Sequence, residues 1–96
     1  MIPTPSIAIL LSAYNGVEWI EEQVYTILNQ KHVNIELFIS VDLSTDDTND
    51  LCKKLEQKNT NINVLEYGDR FGGAAKNFFR LIRDVDLLGF DYVALA

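Results

Sequence analysis

Residues 7–16, reading Ile-Ala-Ile-Leu-Leu-Ser-Ala-Tyr-Asn-Gly, constrain the fold more than any other stretch. Five apolar residues, Ile7 to Leu11, give way abruptly to Ser12, Ala13, Tyr14, Asn15 and Gly16. A short, unbroken apolar run that stops at a turn signal predicts a strand covered on both faces, as in a parallel sheet. The small and polar residues then fall at the strand's C-terminal end. In open α/β sheets that edge is where ligands bind. Ser12 and Tyr14 are the first candidates for contacting one, and a nucleotide is the ligand expected there.

The rest of the chain alternates in kind. Met1–Ser6 reads as an extended lead-in and the first strand as Ile7–Ala13. A helix is expected over Val17–Asn29, with Val17, Ile20, Val24, Ile27 and Leu28 on one face. Asn15 is placed to cap it, with Glu18 reaching back. Ile35–Val41 is rich in β-branched and aromatic residues and predicts the second strand. Ser44 or Thr45 can cap a second helix whose apolar face is Leu51, Cys52 and Leu55. A short strand over Asn63–Tyr67 and a glycine-rich loop over Gly68–Gly73 follow. The third helix is expected over Ala74–Leu87, with Ala75, Phe78, Ile82 and Val85 inward and Gly89 as its stop. Phe90 opens the fourth strand. Strands alternating with helices imply right-handed crossovers. The fold class is therefore α/β with a parallel sheet, and the expected arrangement is three-layer α/β/α with strand order 3-2-1-4.

A chain of 96 residues is enough for one small domain. With 48% hydrophobic and 23% charged residues it can bury a core, which argues against disorder. The net charge of −6 and the scattering of its eight basic residues exclude a nucleic-acid polymer as partner. A mononucleotide is a different case, because backbone N–H groups and a metal ion can hold its phosphates. Cys52 is the single cysteine, so no intrachain disulfide can form. It reads as a small apolar residue on a helix face rather than a nucleophile. No apolar run approaches a membrane span, and the N-terminus lacks the pattern of a signal peptide.

Three polar clusters fall at strand C-terminal ends: Ser12-Tyr14-Asn15, Asp42-Ser44, and the Gly68–Gly73 loop leading to Lys76 and Asn77. Parallel strands bring all three to one edge. Tyr14 offers a flat face for a base. Asp42, an acceptor when ionised, suits the imide N3–H of uracil or thymine and repels the N3 acceptor of cytosine. The alternative is that Asp42 and Ser44 only form a capping turn before the second helix. Arg70 and Lys76 would meet a diphosphate as a fork and a point charge; otherwise they are solvated surface charges. His32 lies at the opposite edge and reads as an ordinary loop residue.

The segments SAYNG, ILNQ, IELFISVD-x-STDDT, and GGAAKNF before FDYVALA follow one another in the order and spacing of a known family. Together they resemble the N-terminal half of a family 2 glycosyltransferase with the GT-A fold, whose nucleotide-binding half is Rossmann-like. The tail from Gly73 is most similar to rhamnosyltransferase-like members. The resemblance implies transfer of a sugar from a nucleotide diphosphate sugar, UDP- or dTDP-linked, to an acceptor hydroxyl in cell-surface polysaccharide synthesis, with inversion. It matches Ser12 and Tyr14 to nucleotide contacts and Asp42 to the base-recognising Asp of an Asp-Asp-x-Ser motif, where Ser44 is the Ser. It places Lys76 where many members carry an Arg that touches the diphosphate, and Asn77 at the Asn that follows. Val41 and Leu43 depart from that motif, the first removing a carboxylate.

The family's Asp-x-Asp motif follows the fourth strand, and its carboxylates hold Mg²⁺ or Mn²⁺. The base and acceptor site lie further on. Residues 1–96 are therefore expected to be the nucleotide-sugar-binding N-terminal portion of the domain, truncated before that motif. On this reading they carry no catalytic residue and no metal ligand, and have no turnover alone. The divalent metal belongs to the full-length enzyme, as does a saccharide or lipid-linked acceptor. The expected location is the cytoplasm, free or at the inner membrane surface by peripheral association. The alternative is a non-catalytic α/β protein-interaction module. A dinucleotide or methyl-donor binder is disfavoured, because no glycine fingerprint follows the first strand.

Overall fold

The computed structural model describes residues 4–96. The expected lead-in falls outside the described residues as far as Pro3, and Ser6 already opens the first strand. The elements are β1 (Ser6–Ala13), α1 (Ile20–Leu28), β2 (Asn34–Val41), α2 (Thr48–Lys58), β3 (Ile62–Val64), α3 (Ala74–Asp84) and β4 (Tyr92–Leu95). The four strands form one parallel sheet, as the alternation predicts, and its order β3-β2-β1-β4 is the one expected.

Side-chain alternation along β1 and β2 divides the molecule into two unlike layers. On one face Ile9, Leu11 and Ala13 of β1 and Ile35, Leu37, Ile39 and Val41 of β2 pack with Ile20, Val24 and Ile27 of α1 and Cys52 and Leu55 of α2. This is the apolar core. The other face carries Ala8, Leu10 and Ser12 on β1 with Phe38 and Ser40 on β2, and α3 lies over its Ser12 and Ser40. Two of those residues are hydroxyls, and that decides how α3 packs.

The expected inward face of α3 is not the one it buries. Ala75 and Ile82 are exposed and Phe78 and Val85 half-buried, while Asn77, Arg80 and Leu81 are buried. Asn77 donates from Nδ2 to Ser12 Oγ (2.9 Å) and to the Ser40 carbonyl (2.8 Å), and its Oδ1 accepts from Ser40 Oγ. Arg80, 7% exposed, donates to Ser40 Oγ (2.9 Å), to the Glu66 carbonyl (2.7 Å) and to Asp84 (3.1 Å). Apolar side chains in these positions would remove the partners of the Ser12 and Ser40 hydroxyls and of the Ser40 and Glu66 carbonyls, and a buried polar group left unsatisfied costs about 1–3 kcal/mol. The helix also ends at Asp84, not Leu87, and Gly89 takes its positive φ in a later turn.

α1 starts at Ile20 rather than Val17, and Asn15 does not cap it. Asn15 sits at φ 45° and its Oδ1 accepts from Thr45 N (2.8 Å) across the gap to the β2–α2 loop. The same loop satisfies the N–H groups ahead of α1. Ser44 Oγ accepts from Asn15 N (3.1 Å), Thr48 Oγ1 from Gly16 N (2.8 Å), and Asp46 Oδ2 from Val17 N (3.3 Å). Ser44 and Thr45 are likewise not caps of α2; Asp46 Oδ1 accepts from Thr48 N (3.0 Å) instead. β3 is shorter than its apolar pattern predicts. Leu65 N still donates to Ile39 O, and the chain then turns away so that the Tyr67 hydroxyl meets Ser44.

Candidate nucleotide site

The C-terminal ends of β1 and β2 open into a cavity of about 480 Å³ lined by Ser12, Tyr14, Trp19, Asp42, Arg70, Gly72, Gly73, Ala74 and Asn77. Three of the five expected contact residues, Ser12, Tyr14 and Asp42, are brought together there. Ser44 and Lys76 do not line it. Ser44 donates from Oγ to the Asp42 carbonyl (2.8 Å) and exchanges hydrogen bonds with the Tyr67 hydroxyl, so it braces the turn beneath Asp42. Lys76 is exposed on the first turn of α3.

Asp42 is 5% exposed, and its carboxylate is clasped by backbone. Oδ1 accepts from Leu43 N (2.9 Å) and Phe71 N (2.6 Å), and Oδ2 from Gly72 N (3.0 Å) and Gly73 N (3.4 Å). Desolvation pushes its pKa up, but the four N–H donors outweigh that and hold the carboxyl below the usual range. Gly72 and Gly73 have φ of 84° and 144°, which L-residues rarely adopt, and this lets successive N–H groups turn toward one carboxylate. Asp42 therefore fixes the β3–α3 loop on which Arg70 is carried. Phe71 in that loop lies under the Arg80 guanidinium, 5.2 Å from its ring centroid, so the polar layer below α3 supports the same loop.

Tyr14 is 56% exposed and free to meet a ligand. Ser12 offers a hydroxyl already oriented by Asn77. Trp19 also lines the cavity, and sequence reasoning assigned it no role. That reasoning also left open whether Arg70 belongs to the site, and the cavity includes it. Cys52 is fully buried, and burial followed by the Asp46 carboxylate pushes its thiol up to about 11, which suits an inert core residue.

Family 2 glycosyltransferases generally use a divalent metal. Among the described residues no three His, Cys, Asp or Glu side chains gather where one could be held. With the Asp42 oxygens taken by N–H donors, the residues present do not fit such an ion. Among the described residues no helix is long and apolar enough to cross a membrane.

The fold and this edge define a class: the α/β architecture of GT-A glycosyltransferases. S. aureus TarS superposes with a TM-score of 0.77 over 95% of this chain and 16% of its own, at 19% identity. The chain belongs to glycosyl transferase family 2, whose model matches residues 8–86. It is 48% identical over 87 residues to the dTDP-rhamnosyl transferase RfbG of Shigella flexneri, covering 90% of this chain and 30% of that protein. It is 31% identical over 70 residues to TuaG of Bacillus subtilis, a glycosyltransferase named for teichuronic acid biosynthesis, covering 73% of this chain and 28% of that one. The chain thus spans under a third of the length of these relatives.

Proposed function

We propose that this chain is the nucleotide-binding portion of a glycosyltransferase that uses a UDP- or dTDP-linked sugar, acting in cell-surface polysaccharide synthesis. The observation that carries it is the cavity at the strand ends, which Tyr14, Ser12, Asp42 and Arg70 line together. Tyr14 takes the base, Ser12 the nucleoside, and Arg70 the diphosphate, with Lys76 as a second cation beside it. Ser44 acts through the Asp42 backbone. An imide N–H reaches Asp42 by taking the place of the Gly73 N–H, the longest of its four contacts at 3.4 Å. The names of the Shigella and Bacillus relatives support a dTDP-sugar donor and a surface polysaccharide product. The reacting carboxylates, the divalent metal and the saccharide or lipid-linked acceptor belong to the remainder of such an enzyme. Its place is the cytoplasm or the inner membrane surface.

Titration with UDP and CDP, followed through the amide resonances of Tyr14 and Asp42, tests this. UDP is expected to shift both saturably and CDP to shift Asp42 less. Equal shifts with both nucleotides would remove the base-reading role of Asp42, and no shift with either would remove the nucleotide.

A further inference from the structure

We propose that Trp19 is a second aromatic contact for the nucleobase, seated in advance by Gly16. This rests on the nucleotide reading of the cavity and adds a specificity-determining residue to it. The argument begins with the glycines. Gly68, Gly72, Gly73 and Gly89 all have positive φ, and a Cβ at any of them would meet nothing within 4 Å. Gly16 differs on both counts. It is absent from the positive-φ positions, and a Cβ there would lie 2.6 Å from Trp19 Cζ2, 2.7 Å from Cε2 and 3.1 Å from Nε1. Backbone conformation does not require glycine at this position; the indole does, because its edge rests directly on the Gly16 Cα.

The seat itself is rigid. Gly16 O accepts from Trp19 N (3.0 Å) and Ile20 N (2.8 Å), and Gly16 N donates to the buried Thr48 hydroxyl at 2.8 Å. The core does not claim the ring, since α1 buries Ile20, Val24 and Ile27 there. Trp19 stays 42% exposed and forms a wall of the cavity that also holds Tyr14. An indole held against backbone, with open surface toward a cavity, loses little freedom on meeting a planar heteroaromatic ring. Such stacking discriminates the base from the sugar and the phosphates.

Trp19 is the only tryptophan, so its emission reports on this wall alone. The chain is titrated with UDP, uridine and inorganic pyrophosphate. UDP and uridine are expected to change the emission saturably, and pyrophosphate to leave it unchanged. By calorimetry Trp19→Ala should weaken UDP at least about fivefold, and Trp19→Phe should retain most of the affinity. Gly16→Ala, which displaces the ring without removing it, should also weaken UDP while the circular-dichroism melt stays cooperative. Unchanged UDP affinity in Trp19→Ala, or the full emission change with pyrophosphate alone, overturns the proposal. If calorimetry detects no UDP binding to the unaltered chain, the nucleotide reading fails and the Trp19 role falls with it.

Discussion

Asp42 does two jobs with one carboxylate. The residue lines the cavity, and its oxygens gather the N–H groups of Leu43, Phe71, Gly72 and Gly73. Asparagine at this position keeps one acceptor and turns a donor toward two N–H groups, so the loop loses at least two bonds. A hydrogen bond to an ionised group contributes about 1.5–3 kcal/mol. Asp42→Asn should therefore lower the melting temperature by at least about 4 °C for a chain of this size. The pH dependence has a definite sign. A carboxyl whose pKa is lower folded than unfolded stabilises the fold above the unfolded value, about 3.9, and that contribution disappears as pH falls through the folded value. Asp42 and Asp46 both sit below their ordinary value, and hydrogen bonding to Arg83 foremost brings Asp84 down to about 2. Stability should thus fall as the pH drops below about 4, and less steeply in Asp42→Asn. An equal acid slope in both proteins, measured by urea unfolding, would mean that the clasp adds nothing.

At the scale of elements, the β1–α1 and β2–α2 connections hold each other. The N–H groups of Asn15, Gly16 and Val17 are satisfied by Ser44, Thr48 and Asp46, and Asn15 returns an acceptor to Thr45. Thr48→Val keeps the shape but removes the buried acceptor for Gly16 N, so it should destabilise by about 1–3 kcal/mol. Thr26→Val, which removes only an exposed bond to the Glu22 carbonyl, should stay within about 0.5 kcal/mol. Comparable losses in both, by chemical denaturation, would rule out the clasp as a stabilising device. This cross-bracing also explains what the sequence conceals. Strands and the polar edge are legible because apolar runs and local turn residues encode them. Ser12, Tyr14 and Asp42 fall together for that reason. A cap supplied by a residue some thirty positions away is not local, so Asn15 looked like a helix cap. The inward face of α3 was hidden for a related cause: hydrophobic spacing favours Ala75, Phe78 and Ile82, but the sheet face beneath offers Ser12 and Ser40. Trp19 carried no such local signal: Gly16 reads as a turn residue, which it also is, its carbonyl accepting from Trp19 N (3.0 Å).

Across the 96-residue chain, the outer face of α3, the turn that follows it and β4 together present an apolar surface. Phe79 is 67% exposed, Ile82 49% and Leu88 89%, and Tyr92, Val93 and Leu95 of β4 are exposed as well. Among the described residues β4 is also an edge of the sheet, paired with β1 alone. An open strand edge flanked by large apolar side chains is a template for pairing with another chain. The net charge of −6 opposes association through self-repulsion, which salt screens. The two effects make a joint prediction. The 96-residue chain should self-associate with rising concentration, more strongly at 0.5 M than at 0.05 M salt, as about a threefold change in Debye length implies. Leu95→Lys, which places a charge on the edge strand, and Phe79→Ser, which thins the α3 face, should each reduce it without lowering the melting temperature by more than a few degrees. Sedimentation velocity across the two salt conditions provides the measurement. A chain that remains monomeric at high salt, or variants that associate as readily as the parent, would show that the exposed helix face and strand edge do not drive contact between copies.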